Sequence, residues 1–208
     1  MLTVTKLEPQ KKNPQRLNVY LNGEFAFGIS RLVAPWLQEG NELSQGEISG
    51  LQSEDQIQQG YQRAINFLSY RARSEQEIKL NLQKHQVPEA IIESILERLR
   101  DASLVDDREF AQQWIENRVR FHPRSKRALS SELYRKGLSK QIIEDTLLDI
   151  DEEVLARSLA QKKVSKLRNL DKSTFQKKMY GFLSRRGFHY GISKEVVSQL
   201  WDELEKES

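Results

Sequence analysis

The sequence predicts a mainly α-helical protein: three tandem three-helix repeats in an elongated array, preceded by a small β-hairpin and helix subdomain. A helical apolar pattern recurs with a period near 50 residues from about residue 58 onward. The dipeptide Asn22-Gly23 separates two runs in which apolar residues alternate. Apolar residues make up only 38% of the 208-residue chain, which suits small stacked units better than one large core.

The first predicted subdomain, residues 1–57, is recognised by its turn. Asn-Gly favours the positive φ angles of a two-residue hairpin turn. Four apolar side chains of the hairpin are then expected to face one way: Val19, Leu21, Phe25 and Phe27. An isolated hairpin is marginally stable, so it should pack on the following segments, where Ser44 and Glu47 form a predicted capping box.

The remaining chain divides into three predicted repeats, residues 58–103, 104–150 and 151–208. The segments EIKLNLQKHQVPEAIIESIL and ALSSELYRKGLSKQIIEDTL align residue by residue, and KMYGFLSRRGFHYGISKEVVSQL is a third copy. In that copy we expect three or four extra residues after Phe188. One triplet buries little surface alone, so neighbouring triplets are expected to stack.

Local signals mark the helix ends. The first helix of the first repeat is expected to reach Arg71, and Asp106 reads as the N-cap of the next repeat. His122-Pro123 leaves open whether one helix continues or two helices meet. Two glycines are expected in the left-handed conformation at helix C-termini: Gly137 and Gly187.

The charges are segregated although the net charge is only +3. Residues 118–136 hold seven basic residues against Glu132 alone, and residues 157–186 hold ten against Asp171 alone. The third helices of the repeats are acidic instead. Carboxylates beside phosphates would weaken binding, so these helices are unsuited to reading bases in a major groove.

The basic stretches supply the candidate contacts to a filament or to DNA. For any single charge, solvation of an exposed face is an equally good explanation, but the segregation indicates a surface for phosphates or an acidic protein. The candidates are Arg71, Arg73, Arg118, Arg120, Arg124, Lys126, Arg127, Arg135, Lys136, Lys162, Lys163, Lys177, Lys178, Arg185 and Arg186.

The sequence gives little sign of catalysis. Asp106-Asp107 precedes an apolar helix, so capping explains it better than acid–base or metal chemistry. The three histidines lack ligand spacing, and the absence of cysteine excludes disulfides and thiolate metal sites. We therefore expect no enzyme activity, cofactor or metal. Trp36, Trp114 and Trp201 are expected in the core, whereas the role of Tyr190 stays open.

The apolar runs are too short for a membrane span, which needs roughly 20 residues, and the N-terminus lacks the apolar region of a secretory signal. With no cysteine present, a cytoplasmic protein is expected.

Four segments, in order and spacing, resemble the RecX family. They are YRARSEQEI from Tyr70, LVDDREFAQQWIENR from Leu104, ELYRKGLS from Glu132 and FLSRRGFHYGI from Phe182. The resemblance implies a regulator of the RecA recombinase that binds in the groove of the RecA–single-stranded-DNA filament. It further implies restraint of ATP hydrolysis and strand exchange, with no catalytic site.

The expected partners are the RecA filament, single-stranded DNA and in some cases double-stranded DNA, and a monomer is expected. Two alternatives stay open. One is a stand-alone DNA-binding protein without sequence preference, and the other is a helical adaptor for an unrelated protein.

Overall fold

The computed structural model describes residues 1–207, which fold as four strands followed by nine helices. The elements are β1 (Leu2–Gln10), β2 (Asn13–Leu21), β3 (Glu24–Ser30), β4 (Glu42–Leu43), α1 (Gln45–Leu68), α2 (Glu75–Lys84), α3 (Glu89–Asp101), α4 (Asp107–Phe121), α5 (Lys126–Arg135), α6 (Lys140–Leu147), α7 (Glu152–Val164), α8 (Lys172–Ser184) and α9 (Tyr190–Glu207). They form two compact units. The first unit is Met1–Arg73 with Glu77–Val105, and the second is Ser74–Gln76 with the chain from Asp106 onward.

An antiparallel sheet in the order β3-β2-β1-β4 occupies the start of the first unit. The predicted hairpin turn is confirmed, because Leu21 pairs with Glu24 and both turn residues have positive φ, 49° at Asn22 and 92° at Gly23. No strand was predicted before this hairpin. The structure adds β1 along β2, so the hairpin is part of a larger sheet.

The prediction that Phe25 faces the same way as Val19, Leu21 and Phe27 was wrong. The pairing of β2 with β3 shifts register between Val19 and Tyr20, so that Phe27 lies opposite Val19 while Phe25 lies opposite Tyr20. A one-residue shift turns a side chain to the other face of a sheet. Phe25 is accordingly 60% exposed and contacts the ring of Tyr20 edge-on, with 5.9 Å between ring centroids.

Helix α1 begins at the predicted capping box: the Ser44 hydroxyl accepts from the Glu47 amide, and the Glu47 carboxylate accepts from the Ser44 amide. The helix ends at Leu68, so Arg71 lies beyond it, contrary to prediction. The Ser69 hydroxyl donates to the Asn66 carbonyl at this end.

Three helix triplets, α1–α3, α4–α6 and α7–α9, each enclose an apolar cluster, which confirms the predicted three-helix repeats. The sheet has a cluster of its own, with Val4, Val19, Ile29 and Leu43 fully covered. The fully buried centres of the triplets are Ile78, Leu82, Ile92 and Leu99 in the first, Leu129 and Leu133 in the second, and Phe175, Met179 and Leu183 in the third.

The extra residues expected after Phe188 are absent. Helix α9 begins two residues after Phe188, and α6 begins two residues after Leu138. Ser193 therefore occupies the buried place that Ile143 has in the second repeat. The expected insertion would instead have aligned the apolar pair Val196-Val197 with Ile142-Ile143.

The helix ends follow the local signals in the sequence, whereas the position of Trp36 does not. Gly137 and Gly187 have φ angles of 85° and 90°, as predicted. The Asp106 carboxylate caps α4 by accepting from the amides of Arg108 and Glu109. Trp36 was expected in the core and is instead largely exposed, because its segment is a series of turns rather than a helix.

Within residues 1–207, no helix combines the length and apolar character that crossing a membrane requires. The same described part of the chain contains no group of three or more His, Cys, Asp or Glu side chains placed to hold a metal ion.

Candidate functional site

A cleft of about 500 Å³ in the second unit brings together arginines that are distant in sequence. Arg118 comes from α4, Arg124 from the α4–α5 junction, and Arg185 and Arg186 from the end of α8. His122-Pro123 lies at the same cleft and ends α4 there, which resolves the open question in favour of two helices. This turn directs Arg124 toward the cleft instead of along the face of α4.

Two helix junctions hold the cleft together. The backbone amide of Ser125 donates to the carbonyl of Arg186 at 3.1 Å, and Ser125 is completely buried. Gly187 follows with positive φ, and a Cβ atom at this position would lie 2.5 Å from the Ser125 hydroxyl oxygen. Only glycine therefore fits this close approach without displacement.

A single carboxylate organises one wall of the cleft. The Glu132 carboxylate accepts from Arg118 Nε at 2.7 Å and from Trp114 Nε1 at 3.0 Å, and lies 3.1 Å from Arg124 Nε. Burial tends to raise the pKa of Glu132. The hydrogen bonds from Arg118 and Trp114, with the charges of both arginines, outweigh burial and leave the pKa below its ordinary value. Glu132 is thus a structural ion-pair partner that also fixes two guanidinium groups.

The other two arginines of the cleft have no carboxylate partner among the described residues. Arg186 lies 3.9 Å above the ring of Phe182 and donates to its carbonyl, while Arg185 is exposed. Burial lowers the pKa of Arg186, and the nearby positive charges of Arg185 and Arg124 lower it further. Arg118, Arg124, Arg185 and Arg186 all line this one cleft.

Four guanidinium groups against the one carboxylate of Glu132 leave a formal charge of +3 at the cleft. Guanidinium groups bind carboxylates and phosphates through paired N–H donors. Bringing like charges together costs free energy, and an anion in the cleft relieves that cost. The cleft is therefore an anion-binding arrangement, with phosphate or carboxylate as the matching ligand.

The other candidates of the second unit do not line this cleft. Several rest on aromatic rings or backbone carbonyls: Arg120 on Phe121, Lys136 on Trp114, Lys163 on Phe182, Lys126 at the Leu148 carbonyl and Arg135 at the Ser131 carbonyl. Four are exposed to solvent: Arg127, Lys162, Lys177 and Lys178.

The two candidates of the first unit are engaged within it. Arg71 forms an ion pair with Glu77, with Nη2 and Oε1 2.9 Å apart. Arg73 lies 3.8 Å above the ring of Phe67 and donates to its carbonyl. Both guanidinium groups thus have local structural roles.

A larger cleft, about 680 Å³, lies in the first unit and has a different chemistry. Among the described residues that line it, seven are Asn or Gln and none carries a carboxylate. Arg16 at its edge is neutralised by Asp55, with Nη2 and Oδ2 2.7 Å apart. Besides Arg16, only Arg63 and His85 among its described lining residues can carry a positive charge, so this cleft attracts phosphate less strongly than the arginine cleft does.

Sequence reasoning named the four arginines but did not predict their convergence or the role of Glu132. One signal was available: Glu132 is the only acidic residue among seven basic ones in residues 118–136. An isolated carboxylate at an apolar helix position, next to Leu133, indicates a buried ion-pair partner.

Comparisons with known proteins match every part of this fold. Models of the RecX family match four successive segments: the N-terminal domain at residues 2–44 and the first, second and third three-helix domains at residues 61–99, 106–147 and 151–197. Regulatory protein RecX of Bacillus subtilis (strain 168) is 31% identical over 207 residues, covering 99% of this chain and 78% of the relative. That of Bacillus pumilus (strain SAFR-032) is 30% identical, covering 98% and 80%.

The chain belongs to the RecX family. A crystal structure of regulatory protein RecX matches with a TM-score of 0.73 at 28% identity, covering 94% of this chain and 98% of the other. RecX from Lactobacillus salivarius matches with a TM-score of 0.63 at 25% identity, covering 71% and 97%. The RecX resemblance drawn from the four sequence segments is thereby confirmed, and with it membership of a family of regulatory proteins.

Proposed function

We propose that this chain regulates the RecA recombinase without catalysis of its own. It binds in the groove of the RecA–single-stranded-DNA filament and restrains ATP hydrolysis and strand exchange. The observation that carries the proposal is the arginine cleft, in which cations from two helix triplets converge on one anion-binding place. Membership of the RecX family supplies the partner.

The cleft suits the phosphate backbone of the filament's DNA. Arg185 is exposed and Arg124 remains half-exposed despite its ion pair, so both can reach a phosphate at little cost in protein structure. Further basic side chains on the same triplets add weak contacts. Linked weak contacts reinforce one another, since each binds at high effective concentration once the first has formed.

Such binding restrains the filament only if the regulator prefers one of its states. A ligand shifts a conformational equilibrium by no more than its difference in affinity for the two states. We therefore expect tighter binding to the filament state that hydrolyses ATP slowly. The affinity of this protein for the RecA filament, measured once with a nonhydrolysable ATP analogue and once with ADP, tests whether it prefers one filament state.

The decisive experiment is a titration of this protein into a RecA ATPase assay with single-stranded DNA. Wild type is expected to lower the steady-state rate, and Arg185→Glu is expected to need at least a tenfold higher concentration. Arg168→Glu is the matched control: it makes the same charge change at an exposed arginine of the same unit outside the cleft. Equal inhibition by wild type and Arg185→Glu would remove the cleft from the mechanism.

The +3 charge of the cleft also favours a second candidate, a stand-alone DNA-binding protein without sequence preference. That function predicts tight binding to naked DNA with steep salt dependence. Weak binding to naked DNA together with strong binding to the filament favours the regulator. A pull-down from cell extract that captures another protein but no RecA would favour the adaptor alternative.

A further inference from the structure

A small pocket of about 330 Å³ lies beside the arginine cleft in the third triplet. Tyr180 and Tyr190 form one side, with their ring centroids 5.5 Å apart and their planes tilted by 43°. Tyr190 is 67% exposed although it is aromatic, and no role follows from the packing of the core. Gly181 of α8 also lines the pocket.

Ser193 lines the same pocket and is an anomaly of the core. It is 3% exposed, and its hydroxyl has no hydrogen-bond partner among the residues that the structure describes. The second triplet has the apolar Ile143 at the equivalent place. A buried hydroxyl without a partner is destabilising, and a turn of the Ser193 side chain toward the pocket would let a ligand supply the missing hydrogen bond.

Arg185 joins the pocket to the arginine cleft. It lines the cleft, and its Nη1 atom lies 3.3 Å from the position that a Cβ atom of Gly181 would occupy. An aromatic surface, a hydrogen-bonding group and a guanidinium group therefore lie within one stretch of α8 and α9. Base stacking on aromatic rings beside a cationic groove is the usual arrangement for binding single-stranded nucleic acid.

We propose that the Tyr180–Tyr190 pocket binds one nucleobase of a single-stranded nucleic acid whose adjacent phosphate lies in the arginine cleft. The base stacks on Tyr190 and hydrogen-bonds to the Ser193 hydroxyl, while Arg185 contacts the phosphate. This inference rests on the proposed function and gives the cleft a means of distinguishing single-stranded from double-stranded nucleic acid. A paired base within a duplex is stacked and cannot enter the pocket.

A protein side chain is the competing occupant, and the chemistry favours a base. The pocket volume is at the lower end of the range of roughly 300–1,000 Å³ for small-ligand sites, which suits a single ring system. A phosphate next to the bound base would explain why Arg185 and Arg186 lie beside this pocket. An apolar side chain would satisfy neither the Ser193 hydroxyl nor these charges.

The test compares a thymidine oligonucleotide with an abasic one of equal length and equal phosphate count, by fluorescence anisotropy. Wild type is expected to bind the thymidine oligonucleotide more tightly by roughly five- to a hundredfold. Tyr190→Leu should remove most of this preference and leave the affinity for the abasic oligonucleotide unchanged. Tyr134→Leu is the control, because Tyr134 is a tyrosine with 73% exposure that does not line the pocket.

Ser193→Ala and Arg185→Glu separate the two contacts. Ser193→Ala should weaken binding only to the thymidine oligonucleotide, whereas Arg185→Glu should weaken both and reduce the salt dependence by about one phosphate contact. Equal wild-type affinities, a preference that survives in Tyr190→Leu, or no binding to either oligonucleotide would each overturn the pocket assignment. Inhibition of the RecA ATPase is measured separately, so its loss would bear on the proposed function alone.

Discussion

The buried amide of Ser125 donates to the carbonyl of Arg186, 61 positions later in the sequence, and this hydrogen bond joins the α4–α5 junction to the α8–α9 junction. Ser125 also caps α5 by accepting from the Ala128 amide. One residue therefore ends the turn that carries Arg124 and anchors the turn that carries Arg186. The geometry of the arginine cleft depends on this junction.

The close approach at the junction predicts the effect of Gly187→Ala. An L-residue with positive φ costs about 1–2 kcal/mol, and the new Cβ would also meet Ser125 Oγ at 2.5 Å and Ala128 Cβ at 3.0 Å. We expect a loss of more than about 2 kcal/mol in unfolding free energy, measured by urea denaturation. Gly23→Ala is the control, because Gly23 has a similar φ and no atom within 4 Å of its added Cβ. An equal loss in both variants would contradict the packing argument.

The Glu132 network predicts that Glu132→Gln loses stability. The substitution leaves the half-buried guanidinium of Arg118 without its carboxylate partner, at a cost of about 1–3 kcal/mol in unfolding free energy. The charge of the cleft rises by one unit, so binding to naked single-stranded DNA should become more salt-dependent. Thermal unfolding and anisotropy at two salt concentrations measure the two effects. Unchanged stability would contradict the ion-pair role of Glu132.

The lowered pKa of Glu132 predicts that the unfolding free energy decreases in acid. Its pKa in the folded protein is lower than its ordinary value of 4.5, so the unfolded chain binds more protons just below that pH. The stabilisation by Glu132 is complete above pH 4.5 and is lost as the pH falls through the folded pKa. Unfolding free energy should therefore fall less steeply below pH 4.5 in Glu132→Gln than in wild type.

Local features of this fold could be predicted from sequence because a few adjacent residues determine them. The Asn-Gly turn, the Ser44 cap and the glycines at positions 137 and 187 depend on backbone preferences within three or four residues. The prediction for the Phe25 side chain was wrong because its direction depends on a register shift, which strand pairing determines. Strand β1 was missed because the alternation that begins with Leu2 and Val4 breaks at a register shift between Val4 and Lys6, after which Leu7 is the next apolar residue.

The candidate site could be predicted only in composition. Arg118 and Arg186 are 68 positions apart, and only the packing of the second triplet on the third brings them to one cleft. Charge segregation identified both stretches but gave no means of selecting four arginines from fifteen basic candidates. The extra residues expected after Phe188 shifted the alignment of the third repeat, so Ser193 was not recognised as the counterpart of Ile143.

The cap of α4 separates the structural from the catalytic interpretation of Asp106. Its carboxylate accepts from two backbone amides, so Asp106→Ala should lower unfolding free energy by about 1 kcal/mol. Asp106→Asn keeps an acceptor at the same place and should cost only a few tenths of that. Both are measured by urea denaturation. A loss of function in Asp106→Asn without loss of stability would contradict the capping role.

The unpartnered hydroxyl of Ser193 predicts opposite effects on stability and on binding. Ser193→Ala removes a buried group without a hydrogen bond, so unfolding free energy should rise by about 1 kcal/mol in thermal denaturation. Ser125→Ala is the matched control: that serine is equally buried but caps α5, so its loss should destabilise by about 1 kcal/mol. A stability gain at Ser193 with weaker binding of the thymidine oligonucleotide would mean that the hydroxyl is kept for its ligand. A loss of stability instead would show that the hydroxyl has a structural partner, and the reason for assigning it to a base would be gone.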